Sequence, residues 1–173
     1  MFCGHNRKNT STLHTIQSLR YTIRMTATAH ALVGGAIAYS VQNPALGITL
    51  SFLSHPLLDF IPHWDFGWGW RKKTKLKLFC EASIDMTIGV VASYAIFGQY
   101  TNFNYFLACI FASLLWDFME IPYWFFNWRF APFSTLHSLQ HHIQGKAKLP
   151  WGILTQVVTV GIFIIILQSF KVV

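Results

Sequence analysis

"NYFLACIFASLLWDFMEIPYWFF", residues 104–126, is a nearly unbroken apolar run that carries two acids, Asp117 and Glu120. As a helix, at 1.5 Å per residue, it would cover about 35 Å, enough to cross a hydrocarbon core of about 30 Å. Within such a span an ionisable side chain costs roughly 2.5–3.5 kcal/mol by insertion scales. The stretch therefore predicts a membrane-spanning helix with a polar task inside it.

Reading outward, the rest of the chain has the same character. Hydrophobic residues make up 53% and charged residues only 11% of the 173, with mean hydropathy +0.40, whereas soluble domains carry about a quarter charged residues. Four further apolar stretches, at about 27–41, 44–60, 81–100 and 151–170, are separated by breaks such as "QNP" and Pro62. The expected fold is all-α, an integral membrane bundle of about five transmembrane or re-entrant helices. The first two stretches are short for a full crossing and read either as a tight hairpin or as a re-entrant pair packed on the others. Residues 25–173 form the single helical membrane domain in this reading. Residues 1–24, with Arg7, Lys8, Arg20 and Arg24 among polar residues, read as a disordered basic extension; Met25 opens a second plausible start.

Charge placement gives an orientation. With the N-terminus cytoplasmic and five crossings, the inner segments hold twelve of the thirteen basic residues, leaving only Lys171 outside, as the positive-inside rule requires. The net charge of +7 is then an orientation signal, and no nucleic-acid partner is expected; the expected partner is membrane lipid. Tryptophans and tyrosines near the proposed ends, among them Trp64, Trp68, Trp124, Trp128 and Trp151, suit an interfacial belt. Cys3, Cys80 and Cys109 are scattered without a C-x-x-C pair, so neither a disulfide framework nor a thiolate zinc site is indicated.

The six acids, Asp59, Asp65, Glu81, Asp85, Asp117 and Glu120, all lie in or beside apolar stretches. Several ionisable residues recur at helical spacing: His55, Asp59 and His63 by four, Glu81 and Asp85 by four, Asp117 and Glu120 by three, and His137 and His141 by four. Each set shares a face if its segment is helical. In the five-span layout these pieces, with His30 at the start of the first span, meet at the cytoplasmic side. The apolar spans contain no lysine or arginine to balance the acids, so a cation is the economical counter-charge, and protonated carboxyls are the alternative. Nitrogen and carboxylate donors without thiolate suit a divalent metal, zinc first, with iron or manganese as alternatives.

The expected metal ligands are His30, His55, Asp59, His63, Asp85, Asp117, His137 and His141. Asp65, Glu81, Glu120 and His142 are further candidates as ligands or as groups behind them, while Asp117 and Glu120 are the expected catalytic carboxylates. Blander roles are available to some of these. Asp65 can cap a turn after Pro62, Glu81 can pair with the preceding lysines, and the 137–142 histidines can form a solvated cluster.

At "TAHALVGG", "SHPLLDFIPHWD" and "HSLQHH" the sequence resembles the small bacterial membrane-bound metal-dependent hydrolase-like proteins, an inner-membrane family with a damage-inducible member. The order and spacing differ from the P-D-x-D-H box more usual there. The resemblance implies a metal site and hydrolysis. "HPLLDFIPH" is also similar to the metal-binding helix of zinc-dependent phospholipase C, which implies phosphodiester cleavage, and "HSLQHH" to a histidine box of membrane desaturases and hydroxylases. The expected function is a membrane-embedded metal-dependent hydrolase of a lipid-like or phosphoester substrate. The alternatives are a di-iron membrane oxidase, or a non-catalytic metal-binding or ion-transport protein.

Overall fold

A computed structural model of the chain describes residues 26–64, 72–143, 147 and 149–169. Among the described residues there are six α-helices and no strand: α1 (Ala27–Ser40), α2 (Pro44–Asp59), α3 (Lys75–Ile96), α4 (Phe103–Phe125), α5 (Phe133–Ile143) and α6 (Trp151–Ser169), with a 3-10 turn at Gly98–Tyr100. The N-terminal extension, Asp65, Trp68, Lys146, Lys148 and Lys171 lie outside the described residues.

Local chemistry sets the helix starts. The Asn43 side chain accepts from the Leu46 N–H at 3.1 Å, Thr74 from Lys77 at 3.2 Å and Asn102 from Tyr105 at 3.2 Å, each meeting one of the donors a first turn leaves open. Pro44 follows its cap, where a missing N–H costs nothing. The Thr74 cap also explains why α3 begins six residues before the apolar pattern does. Lys75 and Lys77 occupy its first turn, while residues 97–100 leave the helix for the 3-10 turn.

The helix α1 is the centre of the bundle. Its sequence, ATAHALVGGAIAYS, is rich in small residues, which let neighbouring backbones approach closely, and α2, α3, α4 and α6 all pack on it. A Cβ at Gly34 would stand 2.6 Å from Ser113 Oγ of α4, and one at Gly89 of α3 would stand 2.5 Å from Thr28 Cα. Contacts fix the directions. Thr28 meets Asp85 and Ser93 meets Ala31, so α1 and α3 are parallel. Tyr105 reaches Val41 while Ser113 faces Gly34, so α4 runs the other way, and α2 runs with α4, Gly47 lying against Tyr105 and His55 against Asp117. Val160 of α6 packs with Ala29, Val33 and Ile37. Helices α1, α2, α3, α4 and α6 thus alternate in direction.

Three of them, α3, α4 and α6, are long and apolar enough to cross a membrane, and the chain reads as a membrane protein. Their outward residues, including Ile84, Ile88, Val91, Val157, Ile162 and Ile165, are exposed, a surface suited to lipid and costly in water. Of the five transmembrane or re-entrant helices expected, these three have the length and apolarity of full spans. With 14 and 16 residues, α1 and α2 cover about 21 and 24 Å, short of a hydrocarbon core. They form a hairpin whose first arm is enclosed by the long helices.

Candidate metal centre

His30 lies in the first turn of α1, and His55 and Asp59 are one turn apart on α2. Because the two helices form an antiparallel hairpin, the start of one faces the end of the other. All three side chains are about 1% exposed. The imidazoles of His30 and His55 stack with centroids 3.7 Å apart and planes 9° from parallel. Both address Asp59: His30 Nε2 is 3.3 Å from Oδ1 and His55 Nε2 is 3.5 Å from Oδ2.

These contacts leave polar atoms unsatisfied. His30 Nδ1, His30 Nε2 and Asp59 Oδ1 are buried without a hydrogen-bond partner, so the 3.3 Å separation is short without the directionality of a hydrogen bond. His55 is better specified. Its Nδ1 lies 2.6 Å from the carbonyl oxygen of Ser113, which can only accept, so Nδ1 carries a proton and Nε2 is the nitrogen that faces Asp59. A carbonyl held behind a ligating imidazole is a common way to fix the tautomer a metal needs.

His30, His55 and Asp59 form a group that could hold a metal ion, with one donor atom from each lying within 4.8 Å of the others. For a tetrahedral zinc with bonds of about 2.0–2.1 Å, neighbouring donors stand about 3.3–3.4 Å apart. The two histidine–aspartate separations are of that size.

Two more groups border the centre. Asp117 Oδ1 of α4 is 3.7 Å from His55 Nε2, and at 27% exposure it is the accessible carboxylate of the set. Gln140 of α5 places its amide nitrogen 3.3 Å from both His55 Nε2 and Asp59 Oδ2. Sequence reasoning passed over Gln140 because it weighed only the histidines of "HSLQHH". Its position three residues after His137, and one before His141, was the available signal. Phe52 has a related role. Pro56 cannot donate to the Phe52 carbonyl four residues back, and Trp116 Nε1 fills that place at 3.2 Å, tying α2 to α4 beside the centre.

The other predicted residues are distributed around this end. His63 is fully buried, with Nδ1 2.5 Å from the Ile61 carbonyl and Nε2 without a hydrogen-bond partner. Burial lowers its imidazole pKa from the ordinary histidine value. Asp85 is engaged elsewhere: it accepts from the Ala27 N–H at 2.6 Å and from Thr28 Oγ1 at 2.7 Å, capping α1 from a neighbouring helix. Glu81 pairs with Lys73 at 2.5 Å. Glu120 and His137 meet each other, Oε1 to Nδ1, at 3.5 Å. His141 stacks at a distance on His137, while His142 is turned outward with Nδ1 bonded to Ser138 O at 2.6 Å.

No protein-family model, no curated protein and no solved structure matches this chain. Fold and site together define a helical membrane protein with a buried His/His/Asp group able to hold a metal ion.

Proposed function

We propose that the chain is a membrane-embedded, metal-dependent hydrolase acting on a lipid-like or phosphoester substrate. In this reading it sits in an inner membrane with its N-terminus cytoplasmic, and the substrate arrives from the inner leaflet. The observation that carries the reading is the stacked His30–His55 pair facing Asp59, with buried donor atoms that find no hydrogen bond inside the protein.

A divalent ion there, zinc first, supplies a Lewis acid that polarises a phosphoryl or acyl oxygen and lowers the pKa of water. The chain's own residues do the rest. His30, His55 and Asp59 are the ligands, Ser113 O orients His55, and Gln140 holds the Asp59 carboxylate. Asp117 is the general base because it borders the centre and is partly exposed, so it can take a proton from water without leaving its place. The hydrolytic reading is favoured over a di-iron oxidase by the donor set, two imidazoles and a carboxylate, which is poor in histidine for an iron oxidase.

The test is turnover by detergent-purified protein on phosphoesters and carboxylic esters, in air and without oxygen. Hydrolysis that survives anaerobic conditions, stops with chelator and is lost in Asp117→Asn is expected. Oxygen consumption with iron at about two per chain would overturn the reading. A reporter fused at the C-terminus checks orientation separately, and a cytoplasmic signal would refute the five-crossing layout.

A further inference from the structure

We infer that the start of α3 and the loop after α4 form a docking surface for anionic phospholipid. Lys72, Lys75, Lys77 and Arg129 supply the charge, and the exposed rings of Phe126 and Trp128 supply the apolar anchor. The inference rests on the chain crossing a membrane, and on neither the metal centre nor the reaction assigned to it.

The stretch "RKKTKLK", residues 71–77, carries five basic residues in seven, immediately before the apolar body of α3. A cluster of that size beside a span is drawn to the anionic headgroups of a leaflet. Lys72, Lys75 and Lys77 are exposed. Glu81, one turn beyond Lys77, is taken by Lys73, and among the described residues no carboxylate pairs with the other three lysines. Lys75 Nζ donates to the Phe125 carbonyl at 3.0 Å, a bond that places the ammonium without neutralising it.

The same bond brings the end of α4 beside the start of α3, as does the edge-on contact of the Phe79 and Phe125 rings, with centroids 6.0 Å apart. Beyond Phe125 the chain folds back. Asn127 has φ 57°, a left-handed backbone that asparagine tolerates, and the Trp128 N–H returns to the Pro122 carbonyl at 3.2 Å. The rings of Phe126 and Trp128, 64% and 44% exposed, lie 5.8 Å apart. Arg129 holds its guanidinium over the Tyr123 ring, 4.6 Å from the centroid, and donates to the Tyr123 hydroxyl at 2.9 Å. Cations and apolar rings are thus gathered from two helix ends that are tied together.

Depth and chemistry select a lipid as the occupant. With 22 residues, α3 covers about 33 Å, slightly more than a hydrocarbon core of about 30 Å. When its apolar remainder fills the core, the first turn with Lys75 and Lys77 stands among the phosphates. Lysine stems lie along apolar surface while the ammonium reaches the headgroups, and tryptophan favours the same level. A soluble polyanion would meet the cations and leave the rings in water. An anionic phospholipid covers both, its phosphate against the cations and its glycerol and upper acyl chains against Phe126 and Trp128. An orientation signal asks only for the number of basic residues, and not for their gathering with aromatic rings from a second helix.

Lipid retention by the full chain tests this directly. Delipidated protein in maltoside micelles is offered phosphatidylglycerol and phosphatidylcholine in equal amounts, and native mass spectrometry counts the lipid that stays bound. The wild type is expected to prefer phosphatidylglycerol by about tenfold or more, and each lysine removed should lower the preference about fivefold. Lys72→Gln, Lys75→Gln and Lys77→Gln combined should abolish it, while the three corresponding changes to arginine should preserve it. Equal retention of the two lipids by the wild type, or an undiminished preference in the glutamine variant, would overturn the inference and leave the lysines as an orientation signal. If the combined variant does not remain monodisperse, Lys77→Gln and Arg129→Gln decide singly, and an unchanged preference in both overturns the inference. Displacement of phosphatidylglycerol by inorganic phosphate, beyond that by chloride at the same ionic strength, would overturn the lipid as occupant in favour of a small phosphate.

Discussion

The two ends of the helical bundle meet the same problem, polar groups out of water, in opposite ways. At the end where α1 turns into α2 and α4 begins, residues 37–48 and 94–106 include no Asp, Glu, Lys, Arg or His. Neutral groups there find neutral partners. Tyr105 donates to the Val41 carbonyl at 2.6 Å, Thr101 Oγ1 to Phe97 O at 3.0 Å, and Asn43 and Asn102 cap the helices they precede. The other end gathers His30, His55, Asp59, His63, Asp117 and Glu120, and several of their atoms stay unsatisfied. Leaving buried polar groups unpaired costs on the order of 1–3 kcal/mol each. Since the far end closes with neutral chemistry, helix packing does not itself demand the charges, and the charged end is the one where His30, His55 and Asp59 could hold a metal ion.

The sharpest way to break that contrast is to remove Asp59. Asp59→Ala takes away the group that both stacked imidazoles address. Its effect on metal affinity should exceed the 10–100-fold loss usual for a residue standing behind a ligand. Chelator competition measures it, and an unchanged affinity would return this end to an ordinary hydrogen-bonded network. A smaller effect is expected at Gly89, where any Cβ meets the backbone of α1 at Thr28. Gly89→Ala should lower stability by about 1–3 kcal/mol, the usual cost of overpacking. It should also weaken metal binding, because the displaced segment of α1 carries His30. A drop in Tm with full affinity would show that the site tolerates movement of α1.

How much of this was legible in the sequence follows from what each signal measures. Hydropathy and length identified the helical membrane class because α3, α4 and α6 are long and apolar enough to cross a membrane. They gave less on α1 and α2, since an enclosed helix made of alanine and glycine resembles a short span in composition while its role depends on its neighbours. Spacing brought His55 and Asp59 together, since both sit on one helix. It also grouped Asp85 with the ligands, though that carboxylate caps α1; spacing within α3 contains nothing about the helix packed across it. The pairing of Glu81 with Lys73 was readable because the lysines are close in sequence. Gln140 and the Ser113 carbonyl were not, because amides and backbone oxygens carry no charge pattern and their place at His55 is set entirely by tertiary packing.

The far end should respond to mutation in stability alone. Tyr105→Phe removes the hydroxyl that satisfies Val41 at the end of α1. The expected cost is about 1 kcal/mol, the net value of a typical hydrogen bond. Thermal unfolding in detergent reads it, and metal affinity should match the wild type. A loss of metal in this variant would mean that the two ends are coupled along α1, and the contrast between them would have to be redrawn.

The finest distinction concerns His63, at the end rich in charge. Its Nδ1 is occupied by Ile61 O, its Nε2 is buried, and burial lowers its pKa from the ordinary 6.5. Below 6.5 the unfolded chain takes up a proton at this residue before the folded chain does. The contribution of His63 to stability is therefore complete above 6.5 and declines as pH falls from 6.5 toward the folded pKa, by at most about 1.4 kcal/mol per pH unit. His63→Leu cannot titrate, so its Tm should fall less than that of the wild type between about pH 7 and pH 5.5. Other histidines, including the exposed His142, are common to both proteins and cancel in the difference. Equal slopes would mean that His63 is as easily protonated in the fold as in the open chain. The charged end would then contain one unmet buried nitrogen fewer than the geometry indicates.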